Sequence, residues 1–126
     1  LNLPNDLETI GDGAFYGCKG FDGSLNLPND LETIGDGAFY GCSSLTGLEI
    51  SGNVTSIGDN AFFNCNNLIN VVVRDQSNID VSLNSFTDVS YNSNSIITFD
   101  NTSDFGQLAG NWQTIVNYYN STIYNA

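Results

Sequence analysis

The sequence contains no histidine and no methionine. Without histidine, Ser-His-Asp and Cys-His catalytic arrangements and histidine-ligated zinc sites are excluded. A native chain begins with methionine, so we expect these 126 residues to be part of a longer or processed polypeptide. The absence of a targeting segment therefore carries no information about localisation.

Positive charge is almost as scarce. The chain has two basic residues, Lys19 and Arg74, and 14 acidic residues, which gives a formal net charge of −12. This balance excludes most nucleic-acid-binding functions, because phosphate binding depends on neutralisation by lysine and arginine. It also disfavours an anionic membrane surface, and no apolar run approaches the roughly 20 residues that span a bilayer. The acidic surface is either simply solvated or attracts calcium or a cationic partner.

Cysteine is present in an odd number, so full pairing within the chain is impossible. Cys18, Cys42 and Cys65 recur at nearly constant spacing, which is typical of a structural column rather than a disulfide framework. No Lys, Arg or His accompanies them at repeat positions, so nothing indicates an activated thiol. We expect three reduced cysteines that pack as small hydrophobic side chains.

One segment occurs twice, because LNLPNDLETIGDGAFYGC covers 1–18 and again 25–42. A third copy, LEISGNVTSIGDNAFFNC, covers 48–65. All three share a starting leucine, the triplet Ile-Gly-Asp, the pair Ala-Phe and a final cysteine. Such a fixed period predicts a solenoid, in which stacked coils bury a core that no single coil could bury alone. A fourth, degenerate coil is indicated by Val71, Val73 and Phe86, with Val89 in place of the cysteine, and a partial fifth coil by 96–99.

The residue types at several repeat positions have a physical explanation. Alternating apolar residues near the start of each copy predict short strands, which stacking would pair in parallel at about 4.8 Å. Pro4 and Pro28 end the first two strands, because proline cannot donate to a strand ladder. The Gly-Asp pair predicts a short helical turn whose backbone N–H groups the aspartate caps. The aspartates of successive coils would lie near 5 Å apart, so a bridging cation is the alternative to capping and solvation. They are Asp12, Asp36 and Asp59.

The units LPNDLETIGDGAFYGC and SGNVTSIGDNAFFNC resemble the leucine-rich repeats of the BspA-like family, also called the Treponema pallidum type. The resemblance is strong over 1–68 and weak over 71–99, where the fourth coil loses its cysteine and its Ile-Gly signature. It implies an α/β repeat solenoid, a right-handed coil with a parallel sheet on its concave face and short helical turns. It also implies a secreted or surface-attached protein that binds other proteins or cells. The family has no shared catalytic residue to carry over, so we expect a non-enzymatic protein without cofactors.

The composition changes after the repeats, and we divide the chain into a solenoid over 1–99 and a C-terminal capping segment over 100–126. Coils start near residues 1, 25, 48 and 71, with a partial coil near 96. Apolar residues at helical spacing predict a helix over about 104–119 that closes the apolar end of the solenoid. A ligand-binding aromatic cluster around Trp112 is the alternative. The helical positions are Phe105, Leu108, Trp112, Ile115 and Tyr119.

Catalytic and metal sites built from carboxylates are not expected. Paired Asp or Glu residues could support a glycosidase, but turn capping accounts for the aspartate of every coil. The segment DNTSDFG, over 100–106, has its glycine one place late for an EF-hand and lacks a glutamate at the twelfth position. We therefore assign no catalytic residue and no metal site.

The first candidate binding site is the outward, concave side of the predicted strands. Its residues alternate with core positions, so they face away from the core, and unlike the core they differ between coils. Two arrangements would explain the same residues without a ligand: Val72 packed under the terminal segment, and Arg74 paired with Asp75 or Glu49. The candidate residues are Asn26, Glu49, Asn70, Val72 and Arg74.

The second candidate site is the aromatic column Tyr16, Tyr40 and Phe63, which directly follows the inward phenylalanines. Three stacked rings could grip a protein or the face of a sugar. The alternative is that each ring merely covers the neighbouring coil.

Together these features predict protein–protein or cell-surface binding of an adhesin type. We expect a monomer, located outside the cell or on its surface, with a protein or cell-surface ligand that the sequence does not identify. Two alternatives stay open: a structural spacer within a larger surface protein, and a glycan-binding module that uses the aromatic column.

Overall fold

A computed structural model describes residues 2–74, 79–87, 96–99, 110–119 and 122–125. Within these residues the chain winds into a solenoid whose successive coils contribute parallel strands to two sheets. In chain order the elements are β1 (Thr9–Ile10), β2 (Gly23–Asn26), β3 (Thr33–Ile34), β4 (Leu45–Ile50), β5 (Ser56–Ile57), β6 (Asn70–Val73), β7 (Asp80–Val81), β8 (Ile96–Phe99), α1 (Asn111–Tyr119) and β9 (Thr122–Asn125).

The larger sheet has five parallel strands in the order β2-β4-β6-β8-β9. Its register places Leu25 beside Leu48 and Leu48 beside Val71, as the repeat alignment predicts. These three side chains are at most 4% exposed, so the apolar positions of the strands point into the core. The predicted parallel strand stacking is therefore confirmed for the coils that begin near 25, 48 and 71.

The smaller sheet was not predicted. Its four strands, β1-β3-β5-β7, have two residues each and pair in parallel. Ile10, Ile34 and Ile57 occupy one column of this sheet and are at most 3% exposed. A strand of two residues is too short to show the alternation of apolar and polar residues by which strands are predicted. The sequence therefore did not indicate this sheet.

The Phe column is the centre of the core. Phe15, Phe39, Phe62 and Phe86 lie with neighbouring ring centroids 5.2 Å apart and interplanar angles of 4–16°. The last three rings are at most 1% exposed. Offset stacking of this kind stabilises aromatic pairs beyond the area that they bury, so the column links each coil to the next.

The segment between the two sheets contains successive tight turns and no helix. Within one coil, several of its backbone bonds run from residue i+3 to residue i, as from Ala14 N to Gly11 O at 3.2 Å. Gly13, Gly37 and Asn60 occupy the same repeat position with φ of 56–63°, a left-handed conformation that interrupts any helical turn. The prediction of short helical turns is therefore wrong at this position.

The repeated aspartates do not cap their own turns, which corrects the second part of that prediction. Asp12 Oδ1 accepts a hydrogen bond from the backbone N–H of Asp36 at 2.8 Å, and Asp36 Oδ1 accepts one from Asp59 N–H at 2.9 Å. In the last described coil the Ser82 hydroxyl donates to the Asp59 carboxylate. Each carboxylate therefore joins its own coil to the following one.

The C-terminal region continues the stacking. α1 begins at Asn111, and the predicted helical positions before 110 lie outside the described residues. Trp112 is fully buried, with its ring 5.7 Å from Phe86 and 5.5 Å from Phe99 between centroids. Trp112 thus belongs to the core, and a ligand-binding role for it is wrong. After α1, β9 pairs in parallel with β8, so the chain adds a further strand beyond the helix.

In the part of the chain that the structure describes, no helix combines the length and apolar character that crossing a bilayer requires.

Replacing a middle ring of the Phe column should be costly. We expect Phe39→Ala to reduce the free energy of unfolding by roughly 3–5 kcal/mol, because a fully buried aromatic ring leaves a cavity. Phe15→Ala is the matched control, since Phe15 is only partly buried, and its loss should be smaller. Urea unfolding of both variants measures the difference. A loss below about 1 kcal/mol for Phe39→Ala would contradict the column.

The glycine of the Ile-Gly-Asp triplet should be required wherever a coil precedes it. A Cβ on Gly35 would lie 2.6 Å from Asp12 N and 2.7 Å from Gly11 C, whereas a Cβ on Gly11 meets no atom within 4 Å. We expect Gly35→Ala to destabilise the chain by roughly 1–3 kcal/mol, as overpacking does, and Gly11→Ala to be close to neutral. Equal losses in urea unfolding would refute this explanation.

Candidate functional site

The five-stranded sheet brings three of the predicted binding residues into one row. Asn26 lies beside Glu49, and Glu49 beside Val72, in the parallel register of β2, β4 and β6. Asn70 precedes Val72 by two residues on the same side of β6, and Arg74 follows it by two. We call the outward surface formed by Asn26, Glu49, Asn70, Val72 and Arg74 the sheet face.

An ion pair lies within the sheet face. Arg74 Nη2 is 2.8 Å from Glu49 Oε1, and Arg74 Nε donates to the same oxygen at 2.9 Å. The predicted pairing of Arg74 with Glu49 is confirmed, while Asp75 lies outside the described residues. The two side chains are 43% and 39% exposed, so the pair contributes at most about 1 kcal/mol to stability. Its position at the surface leaves both groups within reach of a partner.

An exposed apolar residue directly precedes β6 and was not predicted. Ile69 is 40% exposed, and its N–H donates to Thr46 O at 3.1 Å at the start of β6. Val72 is half-buried, and its neighbour in the next strand is Thr98. Leu68, directly before it, is 1% exposed and belongs to the core, and the repeat alignment did not single out Ile69. A second apolar residue directly after a core leucine was the available signal.

Few of the acidic residues that the structure describes belong to the five-stranded sheet. Among the described acidic residues, Glu49 is the one that lies within a strand of the five-stranded sheet. On another side of the coils an open groove is lined by Glu8, Asp30 and Glu32, together with Asn53 and Thr55. Because Arg74 balances Glu49, the sheet face is nearly neutral on a strongly acidic molecule.

The aromatic column forms as a ladder of rings. Tyr16 stacks on Tyr40 with centroids 4.6 Å apart at 7°, and Tyr40 stacks on Phe63 at 4.9 Å and 17°. Tyr16 is 61% exposed, and the other two rings are half-buried. Since the rings lie face to face, their faces cover one another and mainly their edges meet solvent. A sugar that stacks on an aromatic face would find the outer side of Tyr16.

The structure also bears on cation binding by the aspartates. The Asp12 and Asp36 carboxylates each accept a backbone N–H from the following coil, which explains their regular spacing without a metal ion. Among the residues that can be described, no group of three or more Asp, Glu, Cys or His side chains is placed to hold a metal.

The three cysteines are free thiols that lie in one column. Cys42 Sγ donates to Phe15 O at 3.2 Å, and Cys65 Sγ donates to Phe39 O at 3.1 Å. Burial raises the pKa of Cys42, and it raises the pKa of the Cys65 thiol from 9.0 to about 12, with a further contribution from Cys42. A protonated, buried thiol is a poor nucleophile, so these cysteines act as core side chains.

Comparison with protein-family models gives a match. The family model for the BspA type Leucine rich repeat region, in 6 copies, matches residues 1–112. Neither the curated proteins nor the solved structures contain a match.

The raised pKa of Cys65 predicts a loss of stability at alkaline pH. The unfolded thiol ionises near its ordinary pKa of 9.0 and the folded thiol near 12, so the stabilisation is complete below pH 9 and decreases as the pH rises towards 12. We expect the free energy of unfolding to fall by up to about 1.4 kcal/mol per pH unit in this window because of this group.

Cys65→Ala is the control for this pH dependence. It should lower stability below pH 9 through the lost packing, and it should remove the part of the alkaline slope that Cys65 causes. Urea unfolding between pH 8 and pH 10.5 compares the two slopes, and identical slopes would show that Cys65 is not the group responsible.

Proposed function

The chain belongs to the BspA-type leucine-rich repeat family, and we propose that it is a non-enzymatic module that binds a protein through its sheet face. Leucine-rich repeats are generally protein-interaction scaffolds, because their stacked coils present an extended surface on a rigid support. The observation that carries the assignment to one surface is the local charge balance around the Glu49–Arg74 pair.

Charge favours the sheet face over the rest of the described surface. With a net charge of −12, most approaches bring a partner against carboxylates, which repels acidic proteins and favours only cationic ones. On the sheet face Arg74 offsets Glu49. A partner of either charge can therefore approach the described part of this surface without facing an uncompensated carboxylate.

Side-chain variation supports the same surface. Asn26, Glu49 and Val72 occupy one register row and differ in charge, polarity and size. The neighbouring core row, Leu25, Leu48 and Val71, remains aliphatic. The fold requires the core row to stay apolar, whereas it leaves the outward row free to be adapted to a ligand.

The composition of the sheet face fits an interface centre. Val72 provides half-buried apolar surface two residues before Arg74 on the same side of β6. Interface cores are depleted in charge and enriched in arginine and apolar anchors. The pair with Glu49 holds the guanidinium in one place before a partner arrives, which reduces the side-chain entropy lost on binding.

Two finer assignments belong to the same proposal. We place the protein outside the cell or on its surface as an adhesin-like monomer, which the family resemblance and the acidic, soluble composition support. We assign the segment after 99 a capping role, supported by the burial of Trp112 over the last ring of the Phe column. A protein-binding role for the sheet face does not depend on either.

A matched pair of double variants tests the sheet face. Val72→Ser with Arg74→Ser removes its half-buried apolar residue and its basic residue. The control variant, Lys19→Ser with Leu83→Ser, makes the same charge change and also removes one apolar side chain. Both of its residues are exposed and lie outside the sheet face. Urea unfolding first verifies that both variants fold.

The binding experiment uses the immobilised chain to capture proteins from a cell-surface extract, followed by affinity measurement with each captured protein. We expect the Val72/Arg74 variant to lose at least about tenfold in affinity, or about 1.4 kcal/mol, and the Lys19/Leu83 variant to bind within twofold of the parent. Equal binding by all three chains would refute the sheet face.

The same chains on a glycan array separate the alternatives. Binding to sugars that is lost in a Tyr16→Ser variant would favour the aromatic column. The absence of any captured protein or glycan would favour a structural spacer.

A further inference from the structure

The segment between β4 and β5 contains a motif that the binding function does not use. Asn53, Val54 and Thr55 form the pattern Asn-X-Thr with X other than proline, which is the acceptor sequence for N-linked glycosylation. The match alone does not make a site, because an acceptor must also lie where the fold can accommodate a bulky sugar. The structure supplies that information for Asn53, whereas the matching triplets at 101–103 and 120–122 begin outside the described residues.

The fold points both functional side chains of the motif away from the core. Asn53 is exposed and lies in a tight turn, which the bond from Val54 N–H to Ser51 O closes at 3.3 Å. Val54 is fully buried, and Thr55 is exposed again. Asn53 and Thr55 accordingly line the same open groove. The acceptor nitrogen and the hydroxyl therefore lie on one accessible side of the third coil.

The preceding coil shows that the fold does not require these two residue types. Asp30, Leu31 and Glu32 hold the equivalent positions, with the same order of exposed, buried and exposed side chains. The buried position stays aliphatic, while an amide and a hydroxyl replace the two outward carboxylates in the third coil. This exchange removes two negative charges from the groove and creates the acceptor sequence at the same time.

The contacts of Asn53 are compatible with a substituent on its side-chain nitrogen. Asn53 Nδ2 donates to Asn29 O at 2.7 Å, and Thr55 Oγ1 donates to Glu32 O at 3.3 Å. The primary amide has two hydrogens, and glycosylation replaces one of them. The remaining N–H is still able to donate to Asn29 O, so a glycan does not require the loss of this bond between coils.

We propose that Asn53 is an acceptor for N-linked glycosylation in a eukaryotic secretory pathway, with a lipid-linked oligosaccharide diphosphate as the donor. In the transfer, a bond forms between Asn53 Nδ2 and the anomeric carbon of the first sugar. The bond between that carbon and the diphosphate oxygen breaks, and the lipid diphosphate leaves. One Nδ2 proton passes to a base of the transferase and then to water. The proposal rests on the proposed placement outside the cell, because the transferase acts during secretion, and it does not rest on the sheet face.

The test expresses the chain behind a cleavable secretion signal in cultured animal cells. Digestion with peptide N-glycosidase in heavy-oxygen water converts each glycosylated asparagine to a labelled aspartate, so mass spectrometry reports Asn53 separately from Asn101 and Asn120. Most secreted chains should carry the label at Asn53. Thr55→Ser keeps the hydroxyl and should keep the glycan, whereas Thr55→Val should lose it. Urea unfolding verifies that both variants fold.

Secretion and glycosylation are read out separately in this design. Chain recovered from the medium has passed through the pathway, so an unlabelled Asn53 there overturns the acceptor site and leaves the placement outside the cell untouched. A glycan that survives Thr55→Val is not attached through this motif, which also refutes the site. A glycosylated chain without a cooperative urea transition would show that the fold does not accommodate a sugar at Asn53.

Discussion

The hydrogen-bond ladder between successive coils is the constraint on which the rest of the structure depends. It sets one spacing for both sheets, and every side-chain column must be compatible with that spacing. The rings of the Phe column accordingly lie 5.2 Å apart, close to the roughly 4.8 Å between paired strands. Gly35 has no side chain because Asp12 of the preceding coil already occupies that space. The repeat positions that do not vary between copies are therefore those that contact a neighbouring coil.

This constraint separates structural residues from residues that are available for binding. Columns that lie between coils keep one chemical type, as the isoleucines of the smaller sheet do. Outward positions of the larger sheet carry Asn26, Glu49 and Val72 in a single row, since no neighbouring coil restricts them. Arg74 offsets the charge of Glu49, and this balance on a molecule of net charge −12 makes the sheet face chemically distinct from the acidic groove around Glu32.

Much of the fold could be predicted from the repeat, and the exceptions have physical causes. The parallel strands and the buried Phe39 follow from agreement between copies. The hydrogen bond that Asp12 accepts could not be predicted from the residues around it, because the donor is the N–H of Asp36, in another coil. Capping within the turn was the nearest available explanation, but the left-handed conformation of Gly13 prevents a helical turn. For the candidate site, the sequence suggested the pairing of Arg74, whereas the exposure of Ile69 depends on packing that the alignment does not contain.

The aspartate bridge also gives the coil stack a polarity. Each bridging carboxylate points from one coil towards the backbone N–H of the following coil, as Asp12 points towards Asp36. A coil stacked in the reversed direction would bring N–H donors against N–H donors, or carboxylates against carboxylates, and would lose the bridge. The bridge thus forms only between coils that stack in the same direction. A single repeated side chain in this way fixes the direction in which coils follow one another.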